Sequence, residues 1–339
     1  MRKCASALSV TLAFCLLTLP ISVAAKKKTA SNTDTGPAVI WRDAADIASR
    51  KFFYGVGAKD REPQPPFSFL KEDLDGTNPK FVVRDAQGIK WKVKLGPETR
   101  PETAATRLVW GAGYYTTEDY FLPVIEVQNM PPHLHRGQKL IDANGSIRNV
   151  RLKRVPAKDE KLGTWSWRNN PFTGTRELNG LRVLMSLINN WDLTDENNAI
   201  FRGNAEDGSP QRIYMVSDLG SSFGTPGLTW PTGKARGNLA AFQHSEFISN
   251  ATPDDVDFRA PKLDSLFFLA TPREYMQKVH LNWIGKHIPR ADARWIGDVL
   301  AQISTDQIRD AFRAAGYSDS EVDGFTAAVQ DRIAKLRSL

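Results

Sequence analysis

The chain has 339 residues, 41% of them hydrophobic, and 45 Lys and Arg against 38 Asp and Glu leave a formal charge of +7. That length supplies one large or two small domains with ample core. The surplus is modest and mixed in sign, which counts against nucleic acid as a partner and leaves acidic ones such as nucleotides or anionic lipid.

Arg2 and Lys3 precede an apolar run from Ala5 to Leu19, then Pro20 and a small-residue stretch ending at Ala24 and Ala25. This reads as a secretory signal peptide over residues 1–25, with Val23 and Ala25 meeting the small-residue cleavage rule. The expected location is periplasmic or secreted. Membrane association through an uncleaved segment is the alternative, because the run approaches the roughly 20 residues of a spanning helix and Lys26, Lys27 and Lys28 follow it. Both cysteines, Cys4 and Cys15, lie in this segment, so the exported part has no disulfide or thiolate chemistry. Residues 26–40, polar and poor in large apolar side chains as far as Pro37, read as a flexible linker.

Residues 66–156 carry strand patterning. PFSFLKED forms a strand ending at the turn-like stretch Asp73–Asn78. Phe81, Val82 and Val83 then run into Asp85–Gly88, and IKWKVKL follows with alternating faces. Ile89, Trp91, Val93 and Leu95 share one face; Lys90, Lys92 and Lys94 share the other. A solvated lysine stripe on a hairpin explains this pattern by itself. The next stretch, GPETRPETAATRLVWGAG, predicts a helix with Thr99 and Glu102 as a capping box, an apolar face of Ala105, Leu108 and Val109, and a stop at Gly111 and Gly113. Capping alone accounts for Glu102, yet a helix carboxylate directly after a lysine-ended strand is also placed to pair with Lys94.

His133 and His135 flank Leu134 without an evident third ligand, so an ordinary loop outweighs a metal site there. Trp165 and Trp167 read as core rather than as a ligand platform. TRELNGLRVLMSLINN predicts a helix with Leu178, Leu181, Leu184, Met185 and Ile188 on one side, delivering the chain to Trp191 and Asp192. Asn197 follows five residues after Asp192, and two short strands, Asn198–Arg202 and Arg212–Val216, lead across a turn to Asp218, Leu219 and Gly220. Phosphoryl transfer needs this chemistry: a carboxylate near the attacking hydroxyl, and an amide and a carboxylate that offer oxygen to magnesium. Asn190, Asp195 and Asn198 are neighbours able to substitute within the loop.

In the order lysine, glutamate, Asp-x4-Asn, hairpin and Asp-Leu-Gly, the chain resembles the atypical kinases, most closely the HipA-like Ser/Thr kinases. GTNPKFVVRDAQGIKWKVKLG looks like their phosphate-loop and lysine-strand region, ETAATRLVWGAGY like their glutamate helix, and LINNWDLTDENNAIF like their catalytic loop. The chain also looks like members of a widespread, functionally undescribed family of exported bacterial proteins. The resemblance implies that Lys94 contacts nucleotide phosphates, Glu102 pairs with it, Asp192 is the catalytic carboxylate, and Asn197 and Asp218 bind magnesium. Gly76, Asn78 and Lys80 would lie in the phosphate loop, with ATP or another nucleotide and Mg as cofactors. Thr194 stands where that family usually carries His, SDLG is closer to the ordinary protein-kinase form, and Gly55 and Gly57 lie too far upstream to supply a glycine-rich loop.

The glycine- and proline-rich loop Ser221–Gly237 occupies the position of an activation or substrate loop. Helical periodicity dominates after residue 261, with capping boxes at Thr271 and Glu274 and at Ser318 and Glu321. The expected fold is α+β and two-lobed: a small antiparallel-sheet N-lobe with one helix over 41–128, and a mainly helical C-lobe over 129–339. The expected function is an exported kinase-like protein that binds a nucleotide with Mg and transfers phosphate to a hydroxyl of an unknown protein or small-molecule acceptor. The alternative is a catalytically inactive kinase-fold binding protein of the cell envelope; an unrelated α+β domain would leave the five site residues apart. An envelope poor in ATP sharpens the choice, since it calls for another donor, for action before export, or for binding without catalysis.

Overall fold

The computed structural model describes residues 36–43, 45–156, 160–229, 233–259 and 281–339. The expected signal peptide, most of the expected linker and the Thr271–Glu274 helix start lie outside the described residues.

At residues 38–41 part of the linker expectation fails. Ala38–Val39 (β1) pairs in parallel with Arg212 and Ile213, and Ile40 is buried. Trp41 meets the Trp295 ring edge-on at 5.2 Å and donates from Nε1 to the Ala112 carbonyl at 2.9 Å. The polar composition ends at Pro37, and the apolar residues after it are what bind this stretch to the body.

Six strands form the first lobe: Phe67–Glu72 (β2), Lys80–Arg84 (β3), Lys90–Lys94 (β4), Asp119–Ile125 (β5), Val127–Gln128 (β6) and Ile147–Arg154 (β7). Their order is β5-β7-β4-β3-β2-β6, antiparallel except for the β2–β6 pair. Only Glu126 separates β5 from β6, so the sheet curls until its two edges meet on one continuous stretch. Trp91, Val93, Phe81, Val83, Val150 and Leu152 are buried on its inner face, as the period-two alternation of β4 requires. Lys92 and Lys94 take the other face, where the register sets Lys94 opposite Arg151 and Lys92 opposite Lys153. Because β7 belongs to this sheet, the lobe extends to Arg154 and the expected boundary at residue 128 is displaced.

Thr99–Gly111 (α1) leaves β4 and carries two opposed faces. Ala104, Ala105, Leu108 and Val109 join the core of the second lobe, whereas Glu102 and Arg107 turn their charges to the sheet. The second lobe contains Lys161–Gly163 (β8), Arg176–Leu187 (α2), Asn198–Asn204 (β9), Pro210–Val216 (β10), Leu239–His244 (α3), Arg290–Leu300 (α4), Thr305–Arg313 (α5) and Asp319–Arg337 (α6). Ser318 and Glu321 make the expected capping box, and Ser304 with Gln307 makes a second one. Phe223, Phe242, Phe312 and Phe325 meet at the centre of its core, with Phe312 and Phe325 stacked at 4.9 Å.

The chain is therefore α+β with a sheet lobe carrying one helix and a mainly helical lobe, as expected. The second lobe holds more strand than its periodicity suggests, since β1-β10-β9-β8 forms a sheet there. Among the described residues no helix is long and apolar enough to cross a membrane.

Candidate functional site

Lys94 ends β4 with its side chain buried between the two lobes. Its Nζ lies 2.7 Å from Glu102 Oε2, 3.1 Å from Glu98 Oε2 and 3.3 Å from Asp218 Oδ1. Helix α1 brings in Glu102 one turn after its start, and Asp218 arrives just beyond β10. The capping-box expectation fails: Thr99 is already inside the helix, with Oγ1 donating to the Gly96 carbonyl at 3.0 Å, and Glu98 sits at the N-cap position. The ion pair, rather than capping, accounts for Glu102.

Behind Glu102 runs a chain of buried charges. Arg151 Nη1 lies 3.0 Å from Glu102 Oε1, its Nε donates to Asp119 Oδ2 at 2.6 Å, and Arg107 closes on Asp119 Oδ1 at 2.5 Å. Burial opposes the charge on Lys94, but Glu102, Asp218 and Glu98 outweigh it and raise its pKa. Burial likewise raises Glu102, against the pull of Arg151 and Lys94. Burial would raise Asp218 too, yet Lys94, the Gly220 N–H, Lys153 and Arg151 hold it at about 2. Lys153 is pushed down, to about 8, by burial and by Arg151; its Nζ donates to the Ser217 carbonyl at 3.2 Å.

The Asp192 loop is tied to the Asp218 segment on both sides. Trp191 N donates to the Ser221 carbonyl at 3.2 Å, and Ser217 N donates to the Asn197 carbonyl at 2.7 Å. Within the loop, Asn197 Nδ2 donates to the Asp192 carbonyl at 2.8 Å and Asp192 N to Asn190 Oδ1 at 2.9 Å. The Asn197 amide thus spends its donor end inside the loop, and its oxygen is the end left for a cation. Asp218 stays ionised and keeps 38% of its side chain accessible. An ionised carboxylate and an amide oxygen are hard donors of the kind magnesium takes, so each of these two residues has the chemistry of a ligand for that ion. The carboxylates of Glu98, Glu102 and Asp218 also cluster, but the Lys94 ammonium already sits among them, with Arg151 paired to Glu102 and Arg236 to Glu98.

Gly76, Asn78 and Lys80 border the β2–β3 turn. Arg136 fastens the turn through the carbonyls of Gly76 and Asp73, and Gly76 has φ +62°, a left-handed conformation that glycine adopts without strain. Asn78 Nδ2 donates to Glu98 Oε2 at 2.6 Å. Burial lowers the pKa of Lys80, which the register places opposite Lys94. The structure thus gathers Lys94, Glu102 and Asp218 into direct contact, joins Asn78 to them through Glu98, and holds Asp192 and Asn197 on the loop alongside.

Four further residues belong to this site: Glu98, Arg151, Lys153 and Arg236, whose Nε lies 3.0 Å from Glu98 Oε1. Arg151 and Lys153 carry the same alternation in IRNVRLKR that singles out Lys94 in KWKVK. Glu98 and Arg236 have no such local signal. His135 Nδ1 contacts Glu72 Oε2 at 2.9 Å, and neither His133 nor His135 joins a metal-type cluster among the described residues. Trp165 and Trp167 are buried core with rings 4.9 Å apart. A groove of about 680 Å³ where β2 meets β5 and β6 is lined by Pro63, Pro65, Pro66, Phe67, Leu122 and Val124, with Glu126 its one ionisable side chain, and is separate from Lys94.

No protein-family profile matches the chain, and no curated protein matches it. Among solved structures it is similar to the Helicobacter pylori proinflammatory kinase CtkA, with 11% identity and a TM-score of 0.43 over 81% of this chain and 97% of that one. It is also similar to the Rio2 kinase in its ADP/Mg2+-phosphoaspartate complex from Chaetomium thermophilum, with 10% identity and a TM-score of 0.32 over 86% and 74% of the two chains. The Golgi casein kinase with Mn/ADP bound gives 12% identity and a TM-score of 0.37 over 88% and 76%. Likenesses at these TM-scores decide nothing about what this chain binds, and the site stands on its own geometry.

Proposed function

We propose that this chain is an exported, kinase-like protein, akin to the HipA-like enzymes, that binds a nucleotide with magnesium and transfers its terminal phosphoryl group to a hydroxyl. The observation that carries the reading is the meeting of Lys94 with Glu102 and Asp218. A strand lysine paired to the carboxylate of the next helix, beside an aspartate that follows the Asp-x4-Asn loop, is the working core of phosphoryl transfer.

In this reading Glu102 positions the Lys94 ammonium against the nucleotide phosphates, and Asn78, Lys80 and the Gly76 turn border the same phosphates. Asn197 and Asp218 would hold magnesium, which when bound neutralises charge on the phosphate oxygens. Asp192 orients the acceptor hydroxyl and takes its proton. The buried Arg107–Asp119–Arg151 chain keeps Glu102 in place without touching the ligand.

The test follows labelled phosphate from ATP in the presence of Mg, with wild type compared to Asp192→Asn. Wild type should release ADP and place label on a hydroxyl acceptor, while Asp192→Asn should bind ATP equally and lose about 100-fold or more in transfer. Equal transfer by both proteins would remove Asp192 from the chemistry. Nucleotide binding by wild type without any transfer would establish the non-catalytic binding protein instead.

A further inference from the structure

Glu98 has no role in the reading above, yet its carboxylate lies at the centre of the donors. Oε2 accepts from Asn78 Nδ2 at 2.6 Å and from Lys94 Nζ at 3.1 Å, and Oε1 lies 3.0 Å from Arg236 Nε. These donors come from the β2–β3 turn, the end of β4 and the segment beyond Asp218. An amide, an ammonium and a guanidinium converging on one buried anion form a donor set suited to phosphoryl oxygens.

A purely structural account would make Glu98 a helix cap. It occupies the N-cap position of α1, but its side chain makes no capping hydrogen bond. It packs against the backbone of Gly220 instead, where a Cβ at position 220 would come within 2.8 Å of its Cβ and Oε2. Glycine beside Asp218 is what admits this carboxylate.

We propose that Glu98 is a displaceable occupant of an anion site made by Asn78, Lys94 and Arg236, and that a phosphoryl group enters by taking its place. The source of that group rests on the nucleotide reading, but the chemistry is shared by any polyphosphate, a nucleoside triphosphate or inorganic tripolyphosphate. Two anions repel at one set of three donors, so the carboxylate has to leave. The uncapped N-terminus of α1 beside it is a favourable destination for a negative charge. Ligand affinity is then lowered by the fraction of molecules in which Glu98 still holds the donors.

The test is calorimetric titration of the full chain with Mg-ATP and, separately, Mg-tripolyphosphate, comparing wild type, Glu98→Gln, Glu98→Ala and Arg236→Ala. Thermal melts identify any variant that fails to fold, and the two Glu98 substitutions guard against that outcome in one of them. Both Glu98 variants should bind ATP about tenfold tighter than wild type, and Arg236→Ala more weakly. Wild-type binding that is unchanged or weakened by removing the carboxylate would overturn the proposal, make Glu98 a fixed structural or metal-holding group, and leave the nucleotide reading intact. Tighter tripolyphosphate binding by the Glu98 variants, with no chain binding ATP, would uphold the anion site and end the nucleotide reading. No binding of either ligand by any chain would overturn both.

Discussion

Arg151 Nη1 lies 3.0 Å from Glu102 Oε1, so the carboxylate whose other oxygen faces Lys94 is held from two sides. Helix α1 is thereby anchored to β7 as well as to β4. Removing one partner of a buried ion network leaves the other charges uncompensated. Arg151→Ala should therefore cost about 3–5 kcal/mol in urea unfolding, whereas Arg151→Lys should keep part of that. A loss below about 1 kcal/mol, typical of exposed pairs, would show that the network is not buried in solution.

Lys153 gives a pH signature. It is held at about 8 in the folded chain against an ordinary 10.5. Between those values the unfolded chain binds the extra proton, so this group's contribution to stability rises with pH across that window and is flat below it. The difference in unfolding free energy between wild type and Lys153→Met, measured at pH 7, 8, 9 and 10, should therefore shift toward wild type only above pH 8, as the cost of the buried charge is relieved. A difference independent of pH would mean that Lys153 is not shielded from water.

Residues 38–41 belong to the body. Trp41→Ala removes the contacts to Trp295 and Ala112 and should cost about 2 kcal/mol. A chain lacking residues 1–41 should melt several degrees below one lacking residues 1–35. Equal melting temperatures for the two deletions would return residues 38–41 to the linker.

The parts legible in the sequence are those carried by local pattern. The alternation of IKWKVKL places Lys94 opposite Trp91 and Val93, and the apolar spacing of TRELNGLRVLMSL predicts α2. The hairpin from Asn198 to Val216 follows from its turn. Glu102 shows where local pattern stops, because its spacing from Thr99 is that of a capping box and of an ion pair alike. The tertiary approach of Lys94 and Arg151 decides between them. Arg151 and Lys153 sit beyond a long excursion after β6, so nothing local reveals that their strand rejoins the first sheet, and the lobe boundary falls short for the same reason. Glu98 and Arg236 meet only because two distant segments fold over Gly220.

The central claim, that Lys94 and Asp218 serve one magnesium-dependent nucleotide site, is tested most directly by calorimetric titration of ATP with and without Mg into wild type, Lys94→Met and Asp218→Ala. Wild type should bind in a Mg-dependent way. Both substitutions should weaken that binding by about thirtyfold or more, the effect of truncating one partner of a buried charged contact. Wild-type binding that ignores Mg, or equal binding by all three proteins, would contradict the account.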